Sequence, residues 1–522
     1  MMILQLLIPI FALLGILDSG YLTYEKMMGI IPPCSPAFDC ETVLQSSWAS
    51  IGPIPVSVLG MLYYSVLLIL GSLLVLDVKK VHFRGRGVSL FQILRLVTTL
   101  GFLSSMGFVY LMAVVIQAWC PYCLISAAIS TVAFSIVLLQ SRLRTQATNR
   151  IAEYPINLAF FAFAYQVLLK PILFTFNPET IHHLFVRFGK ILGMTPVTRA
   201  LTRWCFSYPN PEPLKLAGIQ WPNRVGLSAG FDYDADLTQI LPDIGFGFAT
   251  LGTVTLHPYE GNTRPMLTRL PNSQALLVNK GFKSIGAHAV IKKLEGQSFR
   301  IPIGISIGST NKIFNSSKEQ IDDVVETFRL FEASSVAHSY YELNISCPNT
   351  KGGQPFTDAK RLDALLKALR PLQIKKPVFV KLPIDIADGM SRSATHIQLL
   401  SLVERMSKES WIVGLVSGNL TKDHENTAVL TSDRAHWKQH KGGVSGKPTF
   451  TRSNALISAL RKRFGSHFII IGTGGIFSGE DAQTKIHAGA DLVQLITGMI
   501  YQGPQVIGDI NWVLSGTRPQ KK

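Results

Sequence analysis

Charge is scarce in this chain. Of its 522 residues only 16% are Asp, Glu, Lys or Arg, against about 25% in an average soluble protein. With 47% apolar residues, that deficit excludes disordered, collagen-like and coiled-coil chains and points to segments buried in lipid. Acidic residues are the scarcer sign: 50 Lys and Arg against 33 Asp and Glu leave a formal charge of +17. Such an excess suits nucleic acid, anionic lipid or the cytoplasmic loops of a membrane protein. No basic run is interleaved with stacking aromatics, so nucleic acid is not the expected partner. Six cysteines are too few to staple a secreted scaffold, and no metal site is expected. The first apolar stretch lacks a basic n-region and a small-residue cleavage site, and reads as a retained helix rather than a signal peptide.

Four apolar stretches are present, at residues 2–24, 54–76, 96–116 and 124–139, each near the roughly 20 residues that cross a bilayer core. Basic residues orient them: Lys79, Lys80, Arg84 and Arg86 follow the second stretch, Arg142, Arg144 and Arg150 follow the fourth, and the first loop holds only Lys26. By the positive-inside rule both ends of this region face the cytoplasm. Two cysteine pairs then share the opposite face, Cys34 with Cys40 and Cys120 with Cys123. A Cys-Pro-Tyr-Cys opening a helix has its thiolate favoured by the helix dipole and unpaired amides. A second pair on a loop containing Pro36 can relay electrons by disulfide exchange, and an acceptor inside a bilayer has to be apolar, which suits a quinone. The competing expectation is a pair of static disulfides or inert buried thiols.

Residues Cys34 to Cys40 (CSPAFDC), Val43, Ser46-Ser47-Trp48, Gly52-Pro53-Ile54-Pro55, Gly60, Tyr63-Tyr64 and Cys120-Pro121-Tyr122-Cys123 resemble the vitamin K epoxide reductase family in its bacterial form. The resemblance implies that Cys123 faces a quinone with Cys120 as its partner. It also implies that Cys40 exchanges with Cys120, that Cys34 exchanges with Cys40 and with an extracytoplasmic thioredoxin-fold dithiol protein, and that Ser46 hydrogen-bonds the quinone. Asp18, near the end of the first stretch, is a costly place for a carboxylate; a site role and an interfacial, snorkelling one are both open.

Between the halves, residues 158–169 are apolar and aromatic but end at Lys170-Pro171. Their shortness suggests a helix lying on the cytoplasmic membrane surface rather than a fifth crossing. Asn177-Pro178-Glu179-Thr180 then reads as a helix cap, with Ile181, Leu184, Phe185 and Phe188 on one stripe. That stripe is either ordinary core packing or a membrane face enclosing a hydrophobic tunnel for a lipid-soluble substrate.

In the second half eight β-rich runs alternate with helical stretches, at 224–229, 247–253, 302–307, 340–346, 377–382, 412–417, 468–471 and 491–496. Eight such repeats in about 300 residues match a TIM barrel, whose site forms at the C-terminal strand ends. Gly-rich turns follow the first, seventh and eighth runs: Ala229-Gly230, Gly472 to Ile476 (GTGGI), and Thr497-Gly498. They suit a phosphate cup. After the middle runs come Asn344 to Thr350 (NISCPNT), Lys381, and Gly418-Asn419. Several amides with one thiol suit a planar amide-rich ligand that loses a proton, and Lys381 can set positive charge against a reduced flavin. Singly, each Asn reads as a turn cap, Cys347 as a small buried hydrophobe, and Cys205 as structural.

On these residues the second half resembles dihydroorotate dehydrogenase, and the Asn177 to Thr180 extension (NPET) is similar to the membrane-associated, quinone-using type. The resemblance implies FMN held by Ala229, Gly230, Thr253, Lys381, Gly418, Gly446, Gly475, Thr497 and Gly498. It implies dihydroorotate held by Asn279, Asn344, Asn349 and Asn419, with Cys347 as base. Three departures stand out. Cys347 takes the place of the quinone type's Ser, Tyr233 takes the place of a Lys in Gly230-Phe231-Asp232, and Val278 to Phe282 (VNKGF) is one residue short, which leaves Lys280 a candidate for the missing charge.

The expected organisation is an all-α four-helix transmembrane bundle over 1–145, docking helices over 146–215 and an FMN-binding α/β barrel over 216–522. The expected function is a bifunctional enzyme of the bacterial cytoplasmic membrane. It would oxidise dihydroorotate to orotate with a quinone, ubiquinone or menaquinone, as acceptor, and couple dithiol exchange to quinone reduction. The thiol loops would lie outside and the barrel inside. The rival expectations are another cyclic amide substrate, or a degenerate barrel that only anchors the thiol enzyme.

Overall fold

A computed structural model describes residues 2–34, 38–75, 80–83, 86–144, 156–208, 212–385 and 392–516. Pro36, Lys79, Arg84 and Arg150 lie outside the described residues, as do the side chains of Lys80, Arg86, Arg142 and Arg144. The chain divides into two compact units, Met1–Phe163 and Ala164–Lys522. The helices after Phe163 therefore belong to the barrel unit rather than forming a unit of their own.

The first unit is helical: α1 Met2–Met28, α2 Val56–Val75, α3 Leu90–Tyr110, α4 Pro121–Arg144 and α5 Ile156–Phe163. Small residues let these helices approach closely, as membrane packing requires. A Cβ on Gly15 would meet the Tyr64 ring, and one on Gly101 the Tyr63 ring. Polar groups inside are paired, since hydrocarbon offers no partner: the Tyr64 hydroxyl donates to the Ser126 carbonyl at 2.7 Å, and the Tyr63 and Ser130 hydroxyls lie 3.2 Å apart. The Asp18 Oδ2 is an exception, buried with no partner among the described residues.

Among the described residues five segments are long and apolar enough to cross a membrane: Leu7–Met28, Val56–Val75, Leu90–Ile116, Pro121–Leu138 and Asn157–Thr175. The protein is thus a multi-pass membrane protein. The fifth segment corrects the short helix expected before Lys170-Pro171. Helical structure continues through a π-type turn at Ala164–Leu169 into α6, Lys170–Thr175. The widened turn takes up the missing amide of Pro171, which would otherwise end the helix. Its later half is fastened to the barrel unit: the Tyr165 hydroxyl donates to the Ile500 carbonyl at 2.6 Å, and Gln166 Nε2 to the Tyr501 carbonyl at 2.8 Å.

In the second unit the eight expected runs are strands: β1 Val225–Leu227, β2 Phe248–Val254, β3 Ile303–Ile307, β4 Tyr340–Asn344, β5 Val378–Leu382, β6 Ile412–Ser417, β7 Ile469–Thr473 and β8 Leu492–Leu495. They pair in parallel and close as a barrel, β8 joining β1. Branched residues fill the wall because both faces are covered, by helices outside and side chains inside. The N-terminal end is plugged by Trp221, Phe248, Tyr340 and Phe379, all fully buried. Gly226, Gly304 and Gly414 make the room, since a Cβ at each would strike the ring of Phe248, Tyr340 and Phe379 respectively. With that end filled, the opening lies at the C-terminal strand ends.

Two helices precede the barrel, α7 Pro178–Leu192 and α8 Pro196–Phe206. Asn177 caps α7 as expected, its side chain accepting from the amides of Glu179 at 2.8 Å and Thr180 at 3.4 Å. Glu179 turns inward and accepts from the Met266 amide at 2.7 Å. The Arg203 and Arg300 guanidiniums converge on the buried Asp243 carboxylate and so tie α8 to the barrel unit. The apolar stripe is not core packing: Leu184, Phe188 and Ile191 are more than half exposed, as are Met194, Val197, Leu201 and Trp204. A continuous exposed face of this kind marks a membrane or partner surface.

Candidate functional sites

The barrel mouth opens into a cavity at the C-terminal strand ends, the place where barrels of this kind bind their ligands. Ala229, Gly230, Thr253, Lys381, Gly418, Gly446, Gly475, Thr497 and Gly498 line it, and so do Asn344, Cys347, Asn349 and Asn419. They come from many different strand ends, and barrel closure brings them together.

Hydrogen bonds fix the amides. Asn344 Nδ2 donates to Thr253 Oγ1 at 2.9 Å, and its Oδ1 accepts from the Ser346 hydroxyl at 2.7 Å. That hydroxyl in turn accepts from Asn419 Nδ2 at 2.7 Å. Asn349 Nδ2 donates to the Val278 carbonyl at 2.8 Å. Amides locked in this way present fixed donor and acceptor edges, which a planar ligand requires. Lys381 is buried, donates to Ser228 Oγ at 3.3 Å and lies 3.9 Å from Glu342 Oε1. Glu342 also accepts from the Ser306 hydroxyl at 2.8 Å, and the Ser306 and Thr253 hydroxyls are 3.0 Å apart. A buried polar chain thus runs from Lys381 to Asn344.

The opposite wall is built from glycine. Gly475 has φ +75°, and a Cβ there would fall 2.5 Å from Phe450 Cβ and 2.8 Å from its Cα. A Cβ on Gly498 would meet the Ile476 carbonyl. Glycine at these positions lets the backbone pack closely beside the cavity, and glycine-rich backbone at strand ends is the form a phosphate cup takes. The residues present fit a flavin nucleotide: side-chain-free glycine backbone on one wall, a buried cation at Lys381, and fixed amides lining the same cavity.

Burial pushes the Cys347 thiol up to about 11, with partial relief from the Asn349 amide and the ammoniums of Lys381 and Lys422. Burial also pulls Lys280 down to about 7, helped by Lys283. Asn279 does not line the cavity: its Oδ1 accepts from Asn262 Nδ2 at 2.9 Å, while Lys280 turns inward. Tyr233 lines the cavity, and so do two residues that sequence reasoning missed, Ser228 and His182. His182 comes from α7, packs 4.9 Å from the Phe231 ring, and is held neutral by burial, its pKa down at about 2. Its alternation with the exposed Leu184 and Phe185 was the available signal: one face of α7 carries the exposed apolar stripe and the other carries His182. Leu267, Leu276, Val278 and Ile500 make the adjoining wall apolar.

In the first unit Cys34 and Cys40 form a disulfide, Cα atoms 6.1 Å apart. Cys120 and Cys123 are free. Cys40 and Cys120 are both buried in one small cluster with Val43, Met112 and Ala118, against which Cys34 and Cys123 pack. Two clamps hold the loop there: Tyr122 donates to the Pro33 carbonyl at 3.0 Å, and the Asp39 amide to the Trp119 carbonyl at 3.0 Å. Cys120 Sγ accepts the Cys123 amide at 3.5 Å, at the start of α4. The Cys123 thiol, and after it the amides of Cys123 and Tyr122, hold the Cys120 thiol below its ordinary value. Ser46 is partly exposed and its hydroxyl donates to the Val43 carbonyl at 2.7 Å. Cys205 is a buried free thiol in α8 of the second unit.

A family model described as dihydroorotate dehydrogenase matches residues 213–516, and one described as the vitamin K epoxide reductase family matches residues 6–138. A curated dihydroorotate dehydrogenase (quinone) of Nostoc punctiforme is 36% identical over 356 residues, 66% of this chain and 91% of that protein. One of Rhizobium meliloti is 36% identical over 360 residues, 67% and 91%. Among solved structures, DHODH from Eimeria tenella in complex with ferulenol superposes with a TM-score of 0.55 at 24% identity, covering 67% of this chain and 94% of that one. That likeness bears on the fold alone.

Proposed function

Because the chain belongs to the dihydroorotate dehydrogenase family, with a vitamin K epoxide reductase family domain ahead of its barrel, we propose a bifunctional quinone-linked enzyme. Its barrel oxidises dihydroorotate to orotate, and its thiol domain passes electrons from an extracytoplasmic dithiol protein to quinone. The observation that carries the barrel reading is the meeting of Cys347, Lys381 and three fixed asparagines with a glycine cradle in one cavity.

FMN, when bound, supplies a two-electron acceptor that quinone can reoxidise. Gly446, Gly475, Thr497 and Gly498 would hold its phosphate, and Lys381 would supply positive charge to its ring. Asn344, Asn349 and Asn419 orient the pyrimidine ring. Cys347, as thiolate, takes the proton from the carbon adjacent to the one that loses hydride. His182 and the apolar wall below α7 form the approach for a lipid-soluble acceptor, entering from the exposed face of α7 and α8.

In the thiol domain the outside dithiol reduces the Cys34–Cys40 disulfide. Once Cys120 and Cys123 have given two electrons and two protons to quinone near Ser46 and closed as a disulfide, the reduced Cys40 attacks that disulfide at Cys120, and Cys34–Cys40 re-forms as the Cys120–Cys123 dithiol is restored. The basic loops favour the thiol face outside and the barrel inside. The side chains that fasten the Tyr165 to Thr175 segment to the barrel unit favour a surface helix over a fifth crossing. Both sites then draw on one quinone pool, and no direct relay is needed. Purified protein in lipid nanodiscs should show flavin absorbance that dihydroorotate bleaches anaerobically. A protein without flavin supports the anchoring role instead, and flavin that dihydroorotate leaves unbleached supports another cyclic amide.

A further inference from the structure

The segment entering the cavity beside the base loop is a strand, Ala275–Val278, and strands alternate faces. Leu276 and Val278 line the cavity, whereas Ala275 and Leu277 pack away from it with Leu270, Trp437 and Val444. Carried two residues further, the same alternation puts Lys280 into the cavity and Asn279 out of it, as observed. The Lys280 ammonium donates to the Tyr233 hydroxyl and stands 4.2 Å from that ring's centroid. Among the described residues no carboxylate lies within ion-pair distance of it. Glu179, the carboxylate that acts on it, is already held by the Met266 amide at 2.7 Å and by Arg264 at 3.4 Å. A half-buried ammonium whose hydrogen-bond partner is a phenol, with the neutral His182 and a second cation, Lys283, also facing it, is costly unless a ligand brings an anion.

Location decides which anion. The Lys280 segment is stapled to the base loop: Asn349 Nδ2 donates to the Val278 carbonyl at 2.8 Å, and Asn262 Nδ2 reaches both the Asn349 carbonyl, at 2.8 Å, and Asn279 Oδ1. It stands on the Cys347 side, not among the glycines of the cradle. We propose that Lys280, presented by Tyr233, is a specificity-determining cation that receives the carboxylate of an anionic cyclic-amide substrate. The proposal rests on the flavin-barrel reading above and extends it to a residue pair on two separate loops.

The test uses flavin-loaded full-length protein in nanodiscs and two probes, orotate and uracil, which share a ring and differ in the carboxylate. Wild type should bind orotate more tightly than uracil. Lys280→Met should raise the orotate Kd by roughly 30-fold or more, the range for truncating one member of a buried charge pair, and leave the uracil Kd and flavin content unchanged. Tyr233→Phe, which keeps the ammonium but removes its anchor, should cause a smaller loss confined to orotate. Equal affinity of wild type for both probes, an unchanged orotate Kd in Lys280→Met, parallel loss of both probes, or loss of flavin with selectivity intact would each overturn the proposal. Dihydroorotate bleaching is measured alongside. Failure of wild type to bleach, with a selective orotate loss in Lys280→Met, would sink the proposed reaction while the carboxylate site stands.

Discussion

Titration of Cys347 gives the sharpest test of the proposed chemistry. Burial holds its thiol at about 11, so at pH 8 the thiolate fraction is about 10⁻³ and grows tenfold per pH unit. The sign follows from the raised value: the proton stays on below it, and a rate limited by proton removal must climb with pH. Between pH 6.5 and 9.5 that rate should rise by about a thousandfold with no plateau. Anaerobic stopped-flow bleaching of the flavin by dihydroorotate reads this step alone, because quinone exchange does not enter a single turnover. Lys422, whose Nζ donates to the Pro348 carbonyl at 2.7 Å, helps to lower the thiol. Lys422→Met should therefore move the profile to higher pH and slow bleaching at pH 8. Cys347→Ala should cost about 10²–10⁴-fold, the usual contribution of a general base. A bleaching rate flat in pH, or one that levels off below pH 8 with full flavin content, refutes a desolvated thiolate base.

Four further outcomes are expected. His338 is buried and held neutral, its pKa pulled down to about 3 by desolvation and then by Lys376. Its contribution to stability is whole above about 6.5 and is lost by roughly 1.4 kcal/mol per pH unit below that. His338→Gln should thus gain about 2 kcal/mol relative to wild type between pH 6.5 and 5, read from urea midpoints, and parallel curves would contradict it. Gly475→Ala, which forces a Cβ against Phe450 at positive φ, should abolish flavin absorbance while leaving secondary structure intact by circular dichroism. Arg269 reaches the carbonyls of Leu173, Phe174 and Phe176 at the end of α6 and lies 4.5 Å from the Phe174 ring. Arg269→Ala should lower turnover with a long-chain quinone but not with a soluble dye acceptor. Cys123→Ala should stop quinone reduction by dithiols and spare dihydroorotate oxidation; loss of both activities would argue for an obligatory relay between the two sites.

How much was legible in the sequence differs between elements. The four early spans and eight barrel strands could be located from hydropathy and alternation, because burial in lipid and burial on both faces of a parallel sheet leave long-range signals in composition. The strand-end residues from Ala229 to Gly498 could be grouped because a closed barrel gathers all its C-terminal ends at one mouth. Pro171 misled on the helix before it: the residue normally ends a helix, and only the neighbouring π-type turn accommodates it.

What the sequence by itself determined was which chemical groups exist and on which elements they ride: paired thiols at the start of α4, amides and a thiol at the end of β4, and glycines after β7 and β8. The tertiary structure alone decided which of two neighbours faces the ligand. Asn279 and Lys280 differ by one position, and since strand side chains alternate, the pairing of Ala275–Val278 with its two neighbouring strands sends one outward to Asn262 and the other inward to Tyr233. That parity is set by contacts distant in sequence, so no local pattern could have carried it.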